Sequence, residues 1–361
     1  MKPTQKLHNL GQSLWLDNIT RGHLINGTLR RYISELSITG LTSNPSIFDH
    51  AIKESNFYDD AIHVKMKQGK SDEALFYELA IEDLRQAADL FRPIYDRTNG
   101  IDGWVSLEVS PTLAHDTQGT IVEVARLRAR AERPNLFVKI PGTPEGVPAI
   151  EESIFAGVPV NVTLLFSREQ YLAAAEAYLR GIERRMQVGL NPDVCSLASV
   201  FISRWDKATM EKVPAELRDK LGIAIAKRTY RAYRQLLDSD RWLRLANAGA
   251  RPQRLLWAST GTKDPAASDV LYIQALAAPF TVNTIPDKTL LAFADHGSVG
   301  ELMSADGGDA EEMIAKFARA GIDCDKLATD LQCEAAESFV KDWHELLASL
   351  VAKSAGFKPP G

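Results

Sequence analysis

With 361 residues, 45% hydrophobic and 25% charged, the chain has enough apolar material to bury roughly three quarters of its unfolded surface, which excludes a disordered chain and a disulfide-stapled miniprotein. Forty-two Lys and Arg against 47 Asp and Glu leave a formal charge of -5, too little positive field to hold a polyanionic backbone, so no nucleic acid is expected as a main partner. Cys195, Cys324 and Cys333 match neither a disulfide framework nor a paired zinc motif. No apolar signal core follows Met1, and no apolar run is long enough to span a bilayer. Together these features predict a cytoplasmic protein with no membrane partner.

Eight β-rich runs follow in order: Ser13 to Ile19, Ile38 to Asn44, Gly103 to Val109, Leu136 to Gly142, Val158 to Phe166, Cys195 to Ser203, Arg254 to Thr260 and Phe280 to Pro286. Several are apolar on consecutive positions, as in Leu136-Phe-Val and Leu255-Leu-Trp, which suits strands buried on both faces. Most precede a segment of helical period, so βα units around a parallel sheet are expected, and eight is the closing number of a barrel. The connection from Pro45 to Asp102 is the longest and needs more than one helix, with an apolar stripe from Leu75 to Phe91. No Gly/Ser/Pro-rich linker marks it as a separate domain. A clear stripe also runs through Leu172, Ala175, Leu179, Ile182 and Met186, with Glu176, Arg180 and Glu183 off it. Phe339, Trp343, Leu346 and Leu350 predict a last helix packed across the barrel, and the Gly- and Pro-containing tail 354–361 is expected to fray. The expectation is one α/β domain over 1–361: a (β/α)8 barrel with additional helices, including a long helical insertion after the second strand and a C-terminal helix.

Phosphate-loop and dinucleotide fingerprints fail. Gly69-Lys70-Ser71 ends like a P-loop, yet Val64 stands where that motif needs Gly, and no GxGxxG follows a strand. The seven histidines form no HExxH or His-x-His pair, so no metal ligand set is visible.

Polar residues instead gather at the C-terminal ends of the β runs, the end where barrels of this kind build active sites. They are Asp17, Asn44, Glu108, Lys139, Asn161 with Thr163, Ser199 with Arg204, and Ser259 with Lys263. Lys139 lies in Leu136-Phe-Val-Lys-Ile-Pro-Gly, where loss of hydration favours the neutral amine that can attack a carbonyl. Alone, it reads better as a strand-end lysine snorkelling to water. Asp17 and Glu108 are carboxylates inside apolar runs and need a polar mouth or a partner. A cap on the helix starting near Thr20 is the competing role for Asp17. Asn161 and Thr163 alternate with Val160, Val162 and Leu164 and so share one face, to hold a substrate hydroxyl or water or simply to close a barrel layer. Arg204 and Lys263 can form a phosphate site or be solvated surface charges.

The ordered motifs resemble those of the transaldolases over nearly the whole chain. Gly40-Leu-Thr-Ser-Asn-Pro-Ser-Ile-Phe48 is similar to that family's first signature, and Val138-Lys-Ile-Pro-Gly-Thr-Pro-Glu-Gly-Val147 to its second. Later blocks are matched by Val160-Asn-Val-Thr-Leu-Leu-Phe-Ser167, Ser199-Val-Phe-Ile-Ser-Arg-Trp-Asp206, Leu256-Trp-Ala-Ser-Thr-Gly-Thr-Lys-Asp-Pro265, and Thr281-Val-Asn-Thr-Ile-Pro286 with Asp295-His-Gly297.

The resemblance implies a barrel of the class I aldolase type working in the non-oxidative pentose phosphate pathway. It would transfer a dihydroxyacetone unit from sedoheptulose 7-phosphate or fructose 6-phosphate to glyceraldehyde 3-phosphate or erythrose 4-phosphate. By motif position, Lys139 is the Schiff-base nucleophile, Asp17 and Glu108 transfer protons, and Thr163 holds a water for Glu108. Asn44 and Asn161 support the substrate, and Ser199, Arg204 and Ser259 meet its phosphate. Where the family places Ser-x-Arg, this chain reads Ser259-Thr-Gly-Thr-Lys263, so its second cation is Lys263 or absent. Such chemistry requires no metal or organic cofactor; sugar phosphates are the implied partners, and the unit is a monomer or homodimer. A fructose 6-phosphate aldolase-like enzyme is the nearer alternative, although those relatives carry Tyr where Phe201 stands. A non-catalytic sugar-phosphate-binding barrel is the more distant one.

Overall fold

A computed structural model of the chain describes residues 1–70 and 72–355. Eight strands, β1 (Ser13–Leu16), β2 (Ile38–Leu41), β3 (Trp104–Glu108), β4 (Leu136–Pro141), β5 (Val160–Leu165), β6 (Ser196–Phe201), β7 (Gln253–Ala258) and β8 (Val282–Ile285), pair in parallel and in chain order. β8 closes onto β1, with Leu14 beside Asn283 and Leu16 beside Ile285. Seven strands fall within their anticipated runs, β7 begins one residue before its own at Gln253, and surrounding helices complete the (β/α)8 barrel.

The period-2 alternation of the strands explains two apolar layers. Leu14, Val105, Val138, Ile140, Val160 and Val162 point out toward the helices. Trp15, Trp104, Phe137, Leu197 and Leu256 point in and fill the barrel axis. Gly40 is required beside this aromatic plug, because a Cβ there would stand 2.5 Å from the Trp15 ring. The strands end before several of the polar residues, which leaves Asp17, Asn44, Ser259 and Lys263 beyond the ends of β1, β2 and β7.

The long connection after β2 contains the helices Pro45–Glu54, Asp59–Lys67 and Asp72–Arg97. The third is the crossover that packs on β3, and it continues to Arg97 past Pro93. The first two lie under the C-terminal helix Cys324–Ala355: Ser349 donates to Asp49 at 2.6 Å, and Lys353 Nζ to Asp59 at 2.6 Å. Phe339, Trp343, Leu346 and Leu350 of that helix are all buried, as their spacing predicts. Higher up the same helix, Gln332 donates to the carbonyls of Gly142 (3.0 Å) and Leu164 (2.9 Å), which straps it over the C-terminal ends of β4 and β5. The helix includes Ser354 and Ala355, the first two residues of the segment expected to fray; 356–361 lie outside the described residues. Among the described residues, no helix is long and apolar enough to cross a membrane.

Candidate active site

Neighbouring strands of the barrel bring an amine and a carboxylate together. Glu108 and Lys139 are register partners on β3 and β4, so their side chains leave the sheet on the same side. Lys139 Nζ donates to Glu108 Oε2 at 3.0 Å and to the carbonyl of Ser43 at 3.0 Å. Both residues are 6% exposed, which excludes a lysine snorkelling to water. The backbone is pinned on both sides of the pair, since Ser43 Oγ donates to Ser106 O (2.8 Å) and Tyr77 OH to Glu108 O (3.4 Å).

Burial raises the carboxyl of Glu108 above its ordinary value, more than the Lys139 charge lowers it, and the charge of Asp17 adds to the rise. The contact between Lys139 Nζ and Glu108 Oε2 is a direct hydrogen-bonded path between amine and carboxyl. Glu108 Oε1 and the hydroxyl of Thr163 are both buried without a protein partner. A carboxyl and a hydroxyl with free hydrogen-bonding capacity at the end of β3 and on β5 suit a water between them.

Asp17 lies directly after β1, anchored by its backbone N–H on Ile285 O (2.8 Å). Its Oδ1 accepts from Thr42 Oγ1 at 2.8 Å, and Thr42 also meets Thr284 Oγ1 at 2.6 Å. Burial raises this carboxyl as well, against the hydrogen bond from Thr42 and the charges of Lys139 and Lys263. The competing role of helix cap is taken by Thr20, whose Oγ1 accepts from His23 N at the start of Arg21–Ile25. Asp17 is thereby free for chemistry.

The remaining predicted residues divide. Asn161 points inward as its alternation requires, but both ends of its amide are engaged: Nδ2 donates to Ser106 Oγ (3.2 Å), and Oδ1 accepts from Ser199 Oγ at 2.7 Å. Ser199, expected to meet a phosphate, has a buried hydroxyl whose partner is Asn161. Asn44 caps the helix Pro45–Glu54 through Oδ1, which accepts from Ile47 N (3.0 Å) and Ser46 Oγ (2.8 Å), and only its Nδ2 is left for a ligand. Phe201 packs its ring 5.4 Å from that of Phe166, an apolar wall of the mouth.

On the far side, Arg204 starts the helix Ser203–Thr209 with its guanidinium over the rings of Phe201 (5.7 Å) and Phe339 (6.0 Å). Ser259, held at φ +56°, shares a hydrogen bond of 2.9 Å with Ser203. Such a conformation costs a non-glycine residue about 1 kcal/mol or more and recurs at functional sites. Lys263 is exposed, and its ammonium is lowered by loss of solvent first and then by Lys207 and Arg204, while Asp17 acts in the opposite sense. Two further cations thus stand within electrostatic reach of Lys263, an arrangement suited to a dianion. Lys207 was missed in the sequence, although its position three residues after Arg204 puts both on one face of that helix.

Known proteins resemble the chain across this whole frame. Residues 14–350 match the family model described as Transaldolase/Fructose-6-phosphate aldolase. A protein named Transaldolase from Trichodesmium erythraeum is 41% identical over 372 aligned positions, covering 98% of each chain. Another of that name from Thermobifida fusca is 42% identical, covering 96% of each. One from Thiobacillus denitrificans is 43% identical, covering 97% of this chain and all of its own.

A stability prediction follows from the raised Asp17 carboxyl. Between the unfolded and folded values the native state holds the extra proton, so this group costs stability at pH 7 and ceases to do so below the unfolded value. Asp17→Asn keeps an acceptor for Thr42 and should be more stable than the parent at pH 7, with the gain shrinking as pH falls toward 4. Urea unfolding at the two pH values measures it; an equal difference at both would contradict the assignment.

Proposed function

The chain belongs to the transaldolase/fructose-6-phosphate aldolase family, and we propose that Lys139, Glu108 and Asp17 carry out the chemistry of its transaldolase activity. That activity moves a dihydroxyacetone unit from a ketose phosphate to an aldose phosphate. The buried 3.0 Å contact between Lys139 and Glu108, with Asp17 in electrostatic reach of both, is the observation that supports this reading most.

Glu108 takes a proton from Lys139, and the neutral amine adds to the C2 carbonyl of the donor. Glu108, through a water held by Thr163, returns a proton to the departing hydroxyl, so that water leaves and a protonated imine remains. Asp17 then accepts the proton of the C4 hydroxyl. The C3–C4 electron pair flows into the iminium, an aldose phosphate leaves as its aldehyde, and an enamine stays on Lys139. Running these steps backward with a second aldose phosphate forms the new C–C bond, and water releases the product ketose. Asn161, oriented by Ser106 and Ser199, and Asn44 Nδ2 hold hydroxyls of the bound sugar. Arg204, Lys207 and Lys263, with Ser259, receive the phosphate.

The apolar wall of Phe201 and Phe166 supports transfer over release, because it offers no hydroxyl to hold a water against the enamine. The three cysteines, none in a disulfide, support a cytoplasmic setting. The formal charge of -5 supports sugar phosphates over nucleic acid as partners, for an enzyme acting as a monomer or homodimer.

Product analysis tests the activity. With fructose 6-phosphate and erythrose 4-phosphate, sedoheptulose 7-phosphate should form; with the donor alone, free dihydroxyacetone should stay at trace level. Efficient release of dihydroxyacetone without acceptor would make the chain an aldolase.

The cation cluster is tested by Lys263→Met. Losing one charge-assisted contact of about 1.5–3 kcal/mol should raise KM for fructose 6-phosphate by about tenfold or more and leave KM for unphosphorylated fructose nearly unchanged. Equal effects on the two substrates would remove Lys263 from the phosphate site.

A further inference from the structure

The cation cluster is shared by two elements from different parts of the chain. The helix Ser203–Thr209 carries Arg204 and Lys207, whereas Ser259 and Lys263 stand on the segment that joins β7 to the helix Leu271–Ala275. One phosphate can be met by both only if they keep a fixed separation, because hydrogen bonds weaken steeply away from their preferred geometry. The near end of the segment is fixed where Ser203 N donates to Ser259 O at 3.1 Å. Lys263 lies further along it, so its place depends on what holds the far end.

Asp206 lies on the helix between Arg204 and Lys207 and is 2% exposed. Burial pushes its carboxyl up to about 6, against the bonds from Tyr272 and Gly222, so at pH 7 it is an ionised acceptor. Oδ1 accepts from the backbone N–H groups of Leu221 (2.8 Å) and Gly222 (3.1 Å), the first two residues of the helix Leu221–Leu237. Gly222 permits that approach, since a Cβ there would stand 2.8 Å from Asp206 Oδ2. Capping accounts for Oδ1 alone. Oδ2 accepts from the hydroxyl of Tyr272 at 2.7 Å, the length of a charge-assisted O–H···O bond. Tyr272 is fully buried in Leu271–Ala275, at the far end of the segment that carries Lys263. A like charge works against this tie: Asp264, next to Lys263, faces Asp219 and adds to the rise that burial gives the Asp219 carboxyl. The helix on the other side is itself anchored, because Trp205 Nε1 donates to Phe166 O at 3.1 Å.

We propose that Asp206 and Tyr272 are positioning residues of the phosphate site: their hydrogen bond fixes the helix bearing Arg204 and Lys207 against the segment bearing Ser259 and Lys263. The role rests on these cations being the phosphate site. Neither residue meets the sugar. With the tie in place Lys263 is held toward the phosphate, and without it the repulsion between Asp219 and Asp264 moves the segment away.

Steady-state kinetics of Tyr272→Phe, which deletes only the hydroxyl, tests it. KM for fructose 6-phosphate should rise about fivefold, with kcat within about twofold of the parent and KM for unphosphorylated fructose unchanged. In the background of Lys263→Met the same change should raise KM no further, since the cation it positions is gone. Asp206→Asn is the conservative variant: its carbonyl still accepts from Leu221 and Gly222 and its amide donates to the Tyr272 oxygen, so both KM values should stay within about twofold of the parent. Equal effects of Tyr272→Phe on the two sugars would make the bond a prop of the fold as a whole and overturn the proposal. So would a KM rise that adds in full to that of Lys263→Met, or a rise in Asp206→Asn as large as in Tyr272→Phe. A selective rise in Lys263→Met with none in Tyr272→Phe would overturn the positioning role and leave the phosphate site standing; no selective rise in Lys263→Met would remove both.

Discussion

Placing an ion pair inside a barrel is costly, and the contact between Lys139 and Glu108 is the constraint around which the mouth is organised. Desolvating two charges is repaid only by close geometry and further hydrogen bonds, and removing one partner of such a pair typically costs about 3–5 kcal/mol. Parallel pairing of β3 with β4 supplies the geometry, since it makes the two residues register partners. Ser43 O supplies the second acceptor for the ammonium, and one carboxylate oxygen stays free. A pair built in this way joins amine and carboxyl by a direct hydrogen bond out of contact with bulk water.

The rest of the mouth fixes what approaches that pair. At β5, Leu164 adopts φ +59° where the register shifts between Val162 and Leu165. Such a bulge re-aims the following side chains, and Phe166 beyond it meets Phe201. The freed carbonyl of Leu164 receives Gln332, so the irregularity that shapes the wall also anchors the C-terminal helix. That helix brings Phe339 under the Arg204 guanidinium, placing a cation at the edge of the site through a residue far away in sequence.

The barrel is legible because each strand carries its own local signature, and polar residues at seven of the eight strand ends single out one face of it. Lys139, Glu108 and Asp17 were readable as anomalies, charges in apolar runs, with the family resemblance settling which of their alternative readings to prefer. Local reasoning failed where a side chain's partner comes from another element. Asp17 and Thr20 are both good caps by composition, and only the helix start at Arg21 distinguishes them. Ser199 reads as a strand-end hydroxyl until Asn161 is found 2.7 Å away. Lys207 carries no signal of its own in the sequence, because its relation to Lys263 depends on how β6 and β7 lie side by side.

Borohydride trapping is the most direct test of the central claim, that the buried amine of Lys139 forms the covalent bond to the donor sugar. Reduction in the presence of fructose 6-phosphate should inactivate the enzyme and attach one reduced three-carbon unit to the peptide containing Lys139, as located by mass spectrometry. Attachment at another lysine, or full activity after reduction with donor, would contradict the account.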